Sequence, residues 1–239
     1  MSLDFPGLHR DMPLREYLAL EALSMGDLRN VWISRARMDW RRQQEDAPSE
    51  DMQFGSALHL AILQPELFGD NVGFGPDELR SGEARAKQAE LQTQFPIVLR
   101  SKHKVTLLQI AAIAENHPFW LQLLDLEETA PADVVREASM LWEVDGVACK
   151  SRPDVLFAIG EQLHIIDLKS VASIDRDFFT RSLAAGAYHL TAGWRALGLE
   201  RCGRHLQSYT FFVVERENAL EARAYALGHQ DIERAKRCA

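Results

Sequence analysis

At 239 residues, 46% of them apolar and 26% charged, the chain can bury a substantial core and has the composition of an ordinary soluble globular protein. It holds no apolar run near the ~20 residues that span a bilayer, and its N-terminus lacks the basic-then-apolar pattern of a secretory leader. Its three scattered cysteines, Cys149, Cys202 and Cys238, fit neither a disulfide framework, a zinc ribbon nor a four-cysteine iron–sulfur site, so a reducing cytoplasm is the expected location. The net charge of −8 argues weakly against nucleic-acid binding, an argument that fails if the acids face outward while a cleft gathers bases and a metal ion.

In chain order, "LREYLALEALSMGDLRNVWISRARMDWRRQQ" carries apolar residues at helical spacing, with Ser24 as the expected N-cap of a helix from Met25. "EDAPSEDM" reads as a polar loop, and "QFGSALHLAILQPELF" as a short helix ending near Pro65. A loop is expected from Asp70 to Glu83, then a long helical segment to about Glu115 with a break near Pro96, then a short helix in "HPFWLQLLD". From Pro131 the texture changes. "VVREASMLWEV", "VACKSRPDVLFAI", "QLHIIDLKSV" and "LQSYTFFVVERE" read as strands separated by turn signals at Asp145-Gly146 and Gly160. A helix is expected over "DRDFFTRSLAAGAYHLTAGWRALGL", a fifth strand at "ALEARAYALG", and a last helix from "HQDIERAKRCA". The order predicts one α/β (α+β mixed) domain over 1–239, mainly helical to 130, with a mixed sheet of about five strands after it.

Two acids stand out on the strand-like runs. With a period of two, Lys150, Arg152 and Asp154 are expected to share one strand face, and Asp167 and Lys169 to share one face of the next strand. A hairpin around Gly160 would bring Asp154 near Asp167. Adjacent buried carboxylates need positive compensation, which a divalent cation supplies while keeping waters for chemistry. Spacing alone leaves a surface salt bridge open as the alternative.

"SRPD", "DLKS" and "FGSALH" together resemble the PD-(D/E)xK nuclease superfamily. Within it they resemble the RecE-like, phage-type exonuclease branch of the RecB-like group. "LSMGDLRN", "MQFGSALHLAILQPELF", "REASMLWEVDGVACKSRPDVL", "IIDLKS" and "YTFFVVERE" match its successive elements in order. The resemblance implies a restriction-endonuclease-like core. It makes His59, Asp154 and Asp167 metal ligands, together with the carbonyl of Leu168. Glu137 becomes the acid that positions a metal or water, and Lys169 the catalytic lysine. The branch usually carries a glutamine followed four residues later by a tyrosine; here Thr191 and Arg195 stand at those positions, with Tyr188 nearby. Tyr188 and Thr191 are the expected DNA contacts on that helix, Trp194 an expected core residue. Lys150 and Arg152 are expected at phosphates, with an ion pair to a site carboxylate as the other reading of Arg152.

The implied activity is a Mg²⁺- or Mn²⁺-dependent 5′→3′ exonuclease on double-stranded DNA ends, in phage-type recombination or repair. A single-strand annealing protein as partner and a homo-oligomeric ring follow from the same resemblance, and no membrane is expected. An endonuclease or structure-specific nuclease of the superfamily is one alternative. A weakly catalytic DNA-binding or scaffold protein keeping the fold is another.

Overall fold

The computed structural model describes residues 6–44 and 48–238. Its first half comprises β1 (Gly7–His9), α1 (Leu14–Ala19), α2 (Met25–Ile33), α3 (Arg35–Arg42), α4 (Glu50–Leu63), α5 (Pro65–Asn71), β2 (Val72–Gly75), α6 (Gly82–Gln94), β3 (Ile97–Arg100), α7 (His103–Glu115) and α8 (Pro118–Thr129). A 3-10 turn at Pro131–Asp133 leads into β4 (Val134–Arg136), β5 (Ser139–Val144), β6 (Val147–Ser151), β7 (Val155–Ile159) and β8 (Gln162–Val171). Then follow α9 (Arg176–Ala185), α10 (Tyr188–Arg201), β9 (Leu206–Glu215), β10 (Ala222–Ala226) and α11 (His229–Lys236).

Serines start four of the helices. Ser24, Ser34, Ser49 and Ser81 each accept a backbone N–H in the first turn of α2, α3, α4 and α6, a contribution of about 1 kcal/mol apiece. Ser24 also forms a reciprocal capping box with Asp27. The polar loop expected at 45–52 is helix from Glu50 onward, and its residues 45–47 lie outside the described residues. The stretch expected as one interrupted helix contains a strand: β3 separates α6 from α7 and pairs in parallel with β2, itself inside the expected loop. Segments of four residues are too short to show a period.

The main sheet has five strands in the order β10-β9-β8-β7-β4, with β8 and β9 parallel and the other pairs antiparallel. β1, β5 and β6 form a separate antiparallel sheet. β8 is central, and its two faces serve two cores. Leu163 and Ile165 pack with Phe179 of α9 and Leu190 and Leu199 of α10. Ile166 and Leu168 pack with Leu58 of α4, Leu107 of α7 and Trp120 of α8. Cover on both faces is why this strand is apolar almost throughout.

Two expected strands are each broken in two. "VVREASMLWEV" gives β4 to the main sheet and β5 to the small one, the chain turning at Glu137, whose φ is 55°. "VACKSRPDVLFAI" ends β6 at Ser151 and begins β7 at Val155. Pro153 has no N–H to continue a ladder, so Lys150, Arg152 and Asp154 do not share a strand face.

α10 lies against the small sheet and α11. A Cβ on Gly193 would come within 2.4 Å of the Ala235 backbone carbon, and backbone cannot step aside as a side-chain tip can. Gly193→Ala should therefore lose about 1–3 kcal/mol, the usual cost of overpacking, read as a lower denaturant midpoint at unchanged slope. An unshifted midpoint would mean that α11 docks more loosely than these contacts require.

Candidate active site

The β7–β8 hairpin sets the two aspartates. Val155 pairs with Ile166, so Asp154, one residue before, and Asp167, one residue after, lie opposite each other. The Leu168 N–H donates to Asp154 Oδ2 at 2.7 Å, which locks that carboxylate beside β8. The turn at Glu137 is held by its own N–H donating to the Asp154 carbonyl at 2.9 Å. From the opposite layer α4 presents His59, whose Nε2 lies 3.1 Å from the Leu168 carbonyl oxygen and whose Nδ1 lies 3.8 Å from Asp154 Oδ2.

His59, Glu137 and Asp154 thus converge, each offering one ligand atom within 4.8 Å of the others. One imidazole and two carboxylates suit a divalent cation bound through nitrogen and oxygen. Burial, and then the charge of Asp154, push the Glu137 carboxyl above its usual range against the pull of Arg152. A cation among these groups would relieve that repulsion.

Asp167, the other carboxylate expected as a metal ligand, is set among side-chain cations. It is fully buried, and its two oxygens are held by Arg195 Nη1 and Lys169 Nζ. Burial alone would raise its pKa, but the Arg195 and Lys169 charges outweigh it and bring the carboxyl down to about 2. Arg195 is itself nearly buried. Its guanidinium donates to Asp167, to the Tyr209 hydroxyl at 2.7 Å and to the Arg152 carbonyl at 2.9 Å, and approaches Asp154 Oδ1 at 3.4 Å. A side-chain cation thus lies against both opposed aspartates and balances part of their charge. Among the described residues, the groups that converge closely enough to share a cation are His59, Glu137 and Asp154.

Lys169 stands at the edge of this pocket. Its side chain is 22% exposed, and its ammonium reaches the Leu168 carbonyl at 3.3 Å and lies 5.4 Å above the Tyr188 ring. Tyr188 is half-buried and packs toward Phe211, so it supports Lys169 from below. Thr191, also half-buried, makes a backbone bond to Ala187 in the first turn of α10. Trp194 is core, donating from Nε1 to the Lys150 carbonyl at 3.0 Å.

Two expected phosphate contacts have structural partners instead. The Lys150 ammonium donates to the carbonyls of Tyr17, Leu18 and Leu20, three acceptors at the end of α1 that draw it inward, and burial lowers its pKa. Arg152 donates to Glu137 Oε2 at 2.7 Å, to Ser139 Oγ and to the Met12 carbonyl, which fulfils its ion-pair reading. Tyr17 lies between these cations; burial pushes its hydroxyl up to about 12 against the pull of Arg195 and Arg152. The sequence reading missed the roles of Arg195 and Tyr209. One signal was available: an arginine inside the apolar run "AGWRAL" sits on a helix face that packs inward, and a buried cation implies a buried acid.

A five-stranded mixed sheet between helical layers, with D-x-K on its central strand, defines a restriction-endonuclease-like α/β fold. Residues 33–237 match the family described as a PDDEXK-like domain of unknown function (DUF3799), and the chain belongs to that family, within the PD-(D/E)xK nuclease superfamily. Its fold is shared by a Eubacterium rectale protein named "Putative exonuclease", at TM-score 0.64 and 15% identity, over 95% of this chain and 82% of that one. The structures of SSO0001 (TM-score 0.29, 15% identity, 76% and 83% coverage) and of VC1899 from Vibrio cholerae (TM-score 0.26, 15% identity, 81% and 52% coverage) also align. No curated protein matches the chain. Family and site together define a nuclease-type protein with a group of side chains that could hold a metal ion. Among the described residues no helix is long and apolar enough to cross a membrane.

Proposed function

We propose that the protein is a Mg²⁺- or Mn²⁺-dependent deoxyribonuclease, and specifically a 5′→3′ exonuclease acting on the ends of double-stranded DNA. The observation that carries the reading is the group His59, Glu137 and Asp154 set beside Lys169 of the D-x-K strand. A divalent ion held there would polarise a phosphodiester and acidify water. Asp154 is fixed by the Leu168 amide, and Arg152 holds Glu137 in its turn. Lys169, anchored on Asp167, keeps an ammonium at the mouth of the pocket to orient the attacking water or to balance charge on the phosphate. Polarity, duplex ends, a role in phage-type recombination or repair, an annealing partner and a ring assembly rest on the resemblance to RecE-like exonucleases. A cytoplasmic location accords with the free cysteines Cys149, Cys202 and Cys238.

The test compares linear with covalently closed duplex in Mg²⁺. Linear DNA should shorten from its ends, the closed circle should persist, and a chelator should stop the reaction. Cutting of the circle would replace the exonuclease by an endonuclease. One observation favours a scaffold reading instead: Arg195 engages Asp167 at the position expected for a tyrosine. Calorimetric titration with Mn²⁺ separates the two. The nuclease should bind the ion, and Asp154→Asn should lower its affinity at least tenfold; an absence of both binding and cleavage would leave only the scaffold.

A further inference from the structure

α2 and α3 carry a surface that the proposed chemistry does not use. They form an antiparallel hairpin joined by the single residue Ser34, which ends α2 and caps α3. Arg42 Nε at the far end of α3 pairs with Asp27 Oδ1 in the first turn of α2 at 3.1 Å, which closes the hairpin. Each helix repeats one pattern: Arg29 and Trp32 on α2, Arg37 and Trp40 on α3. Residues three apart are neighbours on a helix surface, so each arginine stands beside its tryptophan. Trp32 is 61% exposed and Trp40 56% exposed.

Tryptophans are rarely left in water without use, and two on one short hairpin mark a contact surface. Its charge is equally unusual. Residues 25–44 hold five arginines against two aspartates in a chain of net charge −8. We infer that the α2–α3 hairpin binds single-stranded nucleic acid, Trp32 and Trp40 stacking on bases while Arg29, Arg35 and Arg37 contact phosphates.

Two features favour a single strand over other occupants. The positive charge complements a phosphodiester backbone. Exposed indole faces accept bases only where these are not already stacked in a duplex. The hairpin is also tied to the catalytic layer: the Leu23 N–H donates to the Ala148 carbonyl at 2.8 Å and the Leu23 carbonyl accepts from the Lys150 N–H at 2.8 Å. Leu23 directly precedes the cap of α2, and Lys150 lies on the strand that leads to Arg152 and Asp154. A strand lying on the hairpin would be held at the side of the active site. In that respect the inference rests on the proposed nuclease function and names the form of nucleic acid it grips.

The test measures binding of fluorescein-labelled dT20 to the full chain by anisotropy, in EDTA so that no cleavage occurs. The wild type should bind, with quenching of tryptophan fluorescence, and affinity should fall as salt rises. Trp32→Ala/Trp40→Ala should weaken binding about tenfold or more, in line with the loss of base stacking. Arg35→Gln/Arg37→Gln should weaken binding and flatten the salt dependence. Both double variants should keep the Mn²⁺ affinity of the wild type, showing that the site beside them is intact. Unchanged dT20 affinity in the tryptophan variant would overturn the inference. So would equal affinity of a blunt duplex, stronger quenching by anionic phospholipid vesicles, or a dimer abolished by the tryptophan substitutions. If dT20 binds through the tryptophans but no DNA is ever cut, the hairpin assignment stands and the nuclease proposal fails; the reverse result separates them the other way.

Discussion

Replacing Arg195 by leucine should destabilise the protein by about 3–5 kcal/mol, the cost of removing one partner from a buried charge cluster. Arg195 lies against Asp167, which is fully buried, and Asp154, which is 6% exposed. Lys169 pairs with Asp167 through Oδ2, so leucine would leave two opposed carboxylates with one partial counter-charge. Urea unfolding at neutral pH reads the loss. Arg195→Lys should fall between, keeping the charge but losing the planar fork that reaches Asp167, Tyr209 and the Arg152 carbonyl together.

The pH dependence gives the same cluster a second signature. The Asp167 carboxyl lies at about 2 in the fold against an ordinary 3.8. A lowered pKa contributes stability that is present above the ordinary value and lost as pH falls through the lowered one. Wild-type stability should therefore decline between about pH 4 and pH 2. Without Arg195, burial would dominate and favour the protonated acid, so the gap between leucine variant and wild type should narrow as pH falls from 7 toward 4. A gap independent of pH would mean that packing, not charge, accounts for the loss.

Lys169→Ala should reduce hydrolysis of linear duplex in Mg²⁺ by about 10²–10⁴-fold, the range for removal of a positioned acid–base or charge-stabilising group. The fold should survive. The Lys169 side chain is partly exposed, and Asp167 keeps Arg195 as its buried partner. Circular dichroism and Mn²⁺ affinity should match the wild type, because the candidate ligands His59, Glu137 and Asp154 do not include the lysine. A variant that cuts DNA at the wild-type rate would remove Lys169 from the proposed mechanism.

The parts of the site legible in the sequence are those carried by one local element. Asp167, Leu168 and Lys169 follow one another on β8, and the hairpin at Gly160 with its register makes Asp154 face Asp167. Both are short-range facts of strand period and turn chemistry. His59 and Glu137 were named through resemblance, since neither a helix histidine nor a strand glutamate declares its partner locally. The reading of Lys150, Arg152 and Asp154 as one strand face failed at Pro153, where a missing N–H sends the chain from one sheet to another.

What the sequence by itself determined is the helical first half and strand-rich second half, the apolar central strand with its D-x-K, and the superfamily those features resemble. Strand period, helix caps and turn residues act over a few positions and can be read from them. Only the tertiary structure decided how charge is distributed. Arg195 stands where the family pattern led to a tyrosine, and α10 packing against the sheet brings its guanidinium onto Asp167 and Asp154, 28 and 41 residues away along the chain. That choice ties Asp167 to side-chain cations and leaves His59, Glu137 and Asp154 to converge. Coulombic compensation depends on distance through the folded interior, where the low dielectric makes each charge count, and no periodicity along the chain encodes that distance.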